Sequence, residues 1–264
     1  MAGRKKTLNT VCWIIGFFVL WEAVADIMLY LLHDPNAEKK LTAPSLILQQ
    51  FVADAPHLLT EAGITFSRAA IGFAIGAAFA FLLAVLMSLS RLIETTLLPY
   101  LLLSQMIPIL GLAPIIFSLV KDLDTARIVI AAYMSFFPIS INLLSGFKAV
   151  RTDQQTLMYS YACSKWQLYR FLILPSALPY LFAGMKIAAP LAVTASILVD
   201  TLSVQDGIGQ IIVYSLAGGG ALGAFWPAVV LGALLGVISY NIVTLAEFIL
   251  VPWDRGEAGK EKSA

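Results

Sequence analysis

The sequence predicts an all-α integral membrane protein of about six transmembrane helices with a cytoplasmic surface helix, and three observations carry that expectation. The 264 residues are 59% hydrophobic and only 12% charged, about half the charge of an ordinary soluble domain. Uncharged runs recur: residues 69–90, 95–120 and 128–147 measure 22, 26 and 20 residues. At about 1.5 Å of rise per residue, 22 residues reach roughly 33 Å, enough to cross a hydrocarbon core of about 30 Å. Third, Lys and Arg are distributed unevenly between alternate connecting segments. A soluble protein would have to hide several such runs from water at once, and that class is set aside.

Taken in order, six spans are expected at 8–32, 64–89, 95–120, 125–146, 177–202 and 225–250. The N-terminus carries Arg4-Lys5-Lys6, an apolar run and Ala23-Val24-Ala25, the layout of a secretory signal. Hydrophobicity resumes at Ile27, however, and Glu22 interrupts the apolar core, so an uncleaved first span is expected. Turn formers and a short amphipathic piece at 46–51 separate the first two spans. Residues 207–246 run 40 residues without charge, too long for one span. The break is expected at Gly218-Gly219-Gly220 and Pro227, leaving 207–222 as a re-entrant or interfacial segment whose backbone protein must cover. The organisation is then an N-terminal helix with its outer segment (1–63), a core (64–250) holding a polar loop near 148–176, and a tail (251–264).

Topology follows from the basic residues. With the N-terminus inside, eleven Lys and Arg fall in inner segments (Arg4, Lys5, Lys6, Arg91, Lys148, Arg151, Lys165, Arg170, Arg255, Lys260, Lys262). Four fall outside: Lys39, Lys40, Lys121 and Arg127. Both termini are therefore expected in the cytoplasm. Gly72/Gly76 and Gly232/Gly236 are G-x-x-x-G pairs that allow close helix approach. Prolines 99, 108, 114, 138 and 190 fall within spans; they read equally as kinks and as the ordinary proline content of membrane helices.

Residues 154–170 fit a short amphipathic helix with Leu157, Tyr161, Leu168 and Leu172 on one face. By spacing alone this is a surface anchor or a docking element. The segment resembles the EAA loop of type I ABC importer permeases: E-A-A, three residues, Gly, nine residues, then Ile-x-Leu-Pro. Here Thr156-Leu157-Met158, Ala162 and Leu172-Ile173-Leu174-Pro175 keep the spacing and change the letters. Further segments resemble the nitrate/sulfonate/taurine-type branch, which also includes carriers of pyrimidine- and flavin-type vitamin precursors. They are Ser104-Gln105-Met106-Ile107-Pro108, Leu112-Ala113-Pro114, Phe136-Phe137-Pro138, Ser164-Lys165-Trp166-Gln167-Leu168, Gly184-Met185-Lys186-Ile187-Ala188 and Gly207-Ile208-Gly209.

The resemblance implies a type I permease fold in a bacterial inner membrane, forming a homodimer. It also implies two separate ABC ATPase subunits and an external solute-binding protein, with no cofactor. Thr156, Tyr159, Ser160, Ala162, Cys163, Ser164, Trp166, Leu168 and Pro175 become the coupling element. In this expectation Trp166 and Leu168 pin it to the spans, while Tyr159, Ser160 and Cys163 face the ATPase.

Ionisable groups at bilayer depth each need a reason. Snorkelling accounts for Arg68 and Lys186; Glu22 and Asp26, one turn apart, form a weak carboxylate pair. Asp200 is either a translocation-path residue or the partner of Arg68. Gln105, Ser135 and Asn142 either line the path or bond between helices. Cys12 and Cys163 offer no metal spacing, and His33 and His57 have no third ligand. A net charge of +1 recruits no nucleic acid. An integral membrane enzyme is disfavoured by the lack of H-E-x-x-H, G-x-S-x-G and Walker A patterns. An ion-driven secondary transporter is disfavoured by the lack of an evident repeat.

Overall fold

The computed structural model describes residues 2–31, 41–202, 205–217 and 222–254. Among these residues the regular elements are all helical. They are α1 (Ala2–Asp26), α2 (Pro44–Ala53), α3 (Ala55–Leu89), α4 (Arg91–Ser104), α5 (Ile109–Val120), α6 (Leu123–Lys148), α7 (Thr152–Ser160), α8 (Lys165–Leu168), α9 (Leu174–Thr201), α10 (Ile208–Leu216) and α11 (Phe225–Leu250). A π-helical turn at Tyr169–Ile173 joins α8 to α9, so one helix runs from Lys165 to Thr201. The expected break at Gly218-Gly219-Gly220, the lysines at 39 and 40, His33 and the tail beyond Asp254 lie outside the described residues.

Four helices are long and apolar enough to cross a membrane: α3, α6, Lys165–Thr201 and α11. The expected third span is not one rod. It breaks into α4 and α5, which meet at 99°, so the count is five if that pair is one span. The cause is local. Proline lacks an N–H, and it pushes the residue before it out of the helical region. Pro108 stands extended at φ −66°, ψ 120° as the N-cap of α5. Prolines 99, 114, 138, 179 and 190 sit inside continuous helices, so only Pro108 makes a sharp bend. Tyr133 on α6 then donates to the Ser104 carbonyl and holds the end of α4 in place. α1 occupies the position of the expected first span.

Burial identifies the centre. Half of the apolar window of Lys165–Thr201 and 44% of that of α6 are buried, against 28% for α3 and 33% for α11. α3 runs parallel to α6 because Gly72 and Gly76 permit it. A Cβ on Gly72 would come within 2.6 Å of the Ile128 carbonyl, and one on Gly76 within 2.6 Å of the Ala132 carbonyl. α9 runs antiparallel to α6, with Gly184 against Pro138 and Ile139, and Gly146 against Tyr180. The pair Gly232/Gly236 differs from expectation. Gly232 meets only the tip of Ile197 at 3.1 Å, and nothing approaches a Gly236 Cβ closer than 4.0 Å.

Two membrane-depth charges find partners that sequence spacing does not disclose. Lys186 pairs with Glu247 between α9 and α11 instead of snorkelling. Glu22 accepts from the Ser45 backbone N–H at 3.1 Å and from the Ser45 hydroxyl. A carboxylate there satisfies a first-turn donor of α2 and complements the positive end of its dipole. Trp21 reinforces the junction by donating to the Thr42 carbonyl at 3.1 Å. α10 packs Ile208 and Ile211 into a cluster with Leu58, Ala62, Val193 and Leu231, which covers the first turn of the segment expected to need cover, while Val213, Tyr214 and Leu216 stand exposed.

The glycine contrast is testable. Gly76→Ala forces backbone apart and should cost about 1–3 kcal/mol, read as a lowered thermal midpoint in detergent. Gly236→Ala meets open space and should be neutral or stabilising by up to about 1 kcal/mol. Equal effects at the two positions would contradict this packing.

Candidate functional site

The polar loop does not form the single helix expected over 154–170. α7 ends at Ser160 and the chain reverses through Ala162, whose φ is +53°. The Cys163 N–H reaches the Met158 carbonyl at 3.4 Å and the Ala162 N–H reaches Tyr159 at 2.9 Å. This is a Schellman ending with Ala162 at C′, the position that favours glycine because αL costs other residues about 1–2 kcal/mol. The glycine of the family pattern thus has a conformational reason, and this chain keeps the conformation with alanine.

α8 starts immediately afterwards because Ser164 and Gln167 form a reciprocal capping box. The Ser164 N–H donates to Gln167 Oε1 at 2.8 Å and the Gln167 N–H to Ser164 Oγ at 3.3 Å. The S-x-x-Q spacing is a legible start signal that the single-helix expectation overlooked. Pro175 sits in the first turn of α9, within the unbroken helix.

The expected apolar face dissolves accordingly. Leu168 is buried and anchors α8 at the base of the long helix. Leu157, Tyr159, Tyr161 and Trp166 are exposed, Trp166 by 68%, so Trp166 does not pin the loop as expected. Thr156 and Ser160 are exposed, Cys163 is half-buried, and α7 buries none of its residues. The result is a short outward-facing lever bearing aromatic side chains, joined through Leu168 to a membrane-length rod.

The opposite end of that rod carries a buried charge cluster. Asp200 does not meet Arg68; it pairs with Arg127 at 2.6 Å, and both side chains are fully buried. Thr65 Oγ1 donates to Asp200 at 2.6 Å and accepts from the Ile208 N–H at 3.0 Å. Arg127 also reaches Asp124 at 3.0 Å, the Asp206 carboxylate at 2.7 Å and the Asp206 carbonyl at 2.7 Å. Arg68 instead bridges Asp124 at 2.7 Å and Asp206 at 3.1 Å.

Gly207 fits this cluster for two reasons: its φ is +97°, and a Cβ would strike the Asp200 carboxylate at 2.3 Å. Its N–H donates to Glu61 at 2.5 Å. Gly209 is equally closed in: a Cβ there would come within 2.1 Å of the Ile197 carbonyl. The glycines of Gly207-Ile208-Gly209 are therefore steric requirements. Burial raises the Asp206 carboxyl, but hydrogen bonds and charge from Arg68 and Arg127 outweigh it and hold the group below its ordinary 3.8.

Arg127 was expected in an outer loop. An acid three residues before it, at the start of a long apolar run, was the available clue. The four path candidates are not brought together. Gln105 is exposed in the α4–α5 bend. Ser135 and Asn142 bond back to their own helix, at Ala131 and Pro138, and Asp200 belongs to the cluster.

The described residues thus form a helical bundle with four membrane-length apolar helices, an exposed turn at one end and a buried charge cluster at the other. The chain belongs to the family of binding-protein-dependent transport system inner membrane components, whose profile matches residues 72–248. It is 27% identical over 255 residues to the formylaminopyrimidine transport permease protein ThiX of Halalkalibacterium halodurans, covering 96% of this chain and 98% of that one. The riboflavin transport system permease protein RibX of Chloroflexus aurantiacus is 30% identical over 169 residues, 62% of this chain and 61% of the relative. The nitrate import permease protein NrtB of Synechococcus elongatus is 26% identical over 194 residues, 73% of this chain and 70% of the relative.

Among solved structures, an amino acid ABC transporter crystallised with histidines aligns with a TM-score of 0.63 at 16% identity. It covers 76% of this chain and 97% of that one. The inward-facing MetNI methionine ABC transporter gives 0.61 at 18%, covering 74% and 95%. At those identities the likeness is one of fold, and the fold is that of type I ABC importer permeases. The protein is thus an inner-membrane permease subunit of an ABC importer, a family whose permeases are themselves non-catalytic.

Three expectations follow. Ala162→Gly should raise the thermal midpoint by about 2–4 °C, the shift for roughly 1 kcal/mol in a chain of this size; a fall would contradict the strained turn. A double-mutant cycle of Arg127→Met and Asp200→Asn, read by unfolding midpoints, should show coupling of about 1–3 kcal/mol, and additive effects would contradict the pair. Because the Asp206 pKa is depressed, its stabilisation is present above 3.8 and is lost as pH falls further.

Proposed function

We propose that two copies of this chain form the translocation path of an ATP-driven importer, with α7 and α8 docking a separate ATPase at the cytoplasmic face. Thr156, Tyr159, Ser160, Cys163, Ser164 and Trp166 supply the docking surface. Ala162 sets its angle, while Leu168 and Pro175 join it to the rod. Both termini then lie in the cytoplasm, and the charge cluster faces outward, where an external solute-binding protein delivers cargo. One observation carries this reading: aromatic groups stand exposed on a turn that is rigidly joined to a transmembrane helix. The ATPases close on ATP and move the levers, and the rods re-orient.

Solute choice belongs to the receptor and to the path between the copies. Its class spans small anions such as nitrate or sulfonates and pyrimidine- or flavin-type vitamin precursors. Near full-length similarity to a formylaminopyrimidine permease favours a small heterocycle.

Tyr159→Ala with Trp166→Ala removes exposed anchors and leaves the core untouched. Truncating an interface anchor costs about 2 kcal/mol or more, so ATP-driven uptake in proteoliposomes with ATPase and receptor should fall at least about tenfold, with normal membrane insertion. Wild-type uptake in that variant, or ion-driven uptake without any ATPase, would overturn the proposal. Leu168 is unsuitable for this test because its replacement disturbs packing.

A further inference from the structure

Between the lever and the bundle lies a cavity of about 890 Å³, a size typical of ligand sites. Its walls come from α3, α4, α6, α7, α8 and the π-helical turn. The interior is mostly apolar: Val85, Leu89 and Ile173 present accessible apolar surface over buried Met87, Phe147 and Leu168. The rim is basic. Arg91, Lys148 and Lys165 line it against one acid, Glu94, which Lys148 neutralises. Among the described residues, Arg91 and Lys165 have no ion-pair partner, and both are exposed. Arg91 opens α4, whose N-cap Ser90 makes no side-chain cap bond, so the positive end of that helix adds to the rim. Trp166, on the same rim, is the residue type found at the headgroup level.

An apolar interior beneath a rim with two unneutralised cations matches an amphiphile with an anionic head. We propose that this cavity binds one anionic phospholipid of the inner leaflet, its phosphate held by Arg91 and Lys165 and an acyl chain lying along Val85, Leu89 and Ile173. This goes beyond ATPase docking and rests only on this end facing the inner leaflet, where anionic lipids draw basic clusters. A lipid seated here would stiffen the contact between lever and bundle.

The intact chain in detergent, titrated with phosphatidylglycerol or phosphatidylcholine and read by native mass spectrometry, tests the site. One phosphatidylglycerol should be retained per chain. Arg91→Gln with Lys165→Gln should weaken retention about 30-fold, the factor two surface cations supply, and Arg91→Lys with Lys165→Arg should restore it. Millimolar inorganic phosphate should not displace the lipid. Equal affinity for phosphatidylcholine, unchanged retention in the double variant, or displacement by free phosphate would each overturn the proposal. None of those results would alter the effect of Tyr159→Ala and Trp166→Ala on uptake, so the two readings fail separately.

Discussion

A single helix from Lys165 to Thr201 ties the exposed turn at one end of this molecule to the charge cluster at the other, and nearly everything else holds that helix in position. Its 37 residues extend about 55 Å, longer than a bilayer core. Its foot is α8, fixed by the Ser164–Gln167 capping box and by buried Leu168. Its head is Asp200, buried against Arg127. A rod held at both ends transmits displacement; one held at a single end would only tilt.

The price of the head is high. A buried ion pair in a low-dielectric setting is stabilising only when its other lone pairs and protons are satisfied. Thr65 and the Gly209 amide meet that requirement at Asp200, and Asp124 and Asp206 meet it at Arg127. They draw in α3, α6, α9 and the start of α10. Removing any one charge would strand the others, which makes the cluster a specific lock on helix register. Gly207 and Gly209 serve the same end, since only absent side chains let the loop close over the carboxylate. Gly72 and Gly76 press α3 against α6 without side-chain separation, which sets Thr65 and Arg68 at the height of Arg127.

Much of this was legible in the sequence. Apolar run length located α3, α6, α9 and α11, and motif spacing identified the permease family. The Gly72/Gly76 pair was read correctly as a close approach. What failed was whatever depended on three-dimensional partnership. Spacing cannot show that Asp200 meets Arg127 rather than Arg68, or that Lys186 finds Glu247. The smooth apolar pattern of 95–120 hid a 99° bend because hydropathy is blind to backbone direction, although Pro108 marked the place. The loop misled in a similar way. Its apolar spacing suggested one helix, whereas the conformation of Ala162 and the Ser164 cap divide it and turn Tyr161 and Trp166 outward.

The account stands on the rod moving as one body. Spin labels at positions 165 and 202, both exposed sites on the same chain, measured by double electron–electron resonance in the assembled transporter, address that directly. With and without ATP, the distance within one chain should remain unchanged within the width of its distribution, while the distance between the two copies' 165 sites shifts. An intrachain distance that changes on ATP binding would mean that the helix bends at its π-helical turn, and the lever could not drive the lock.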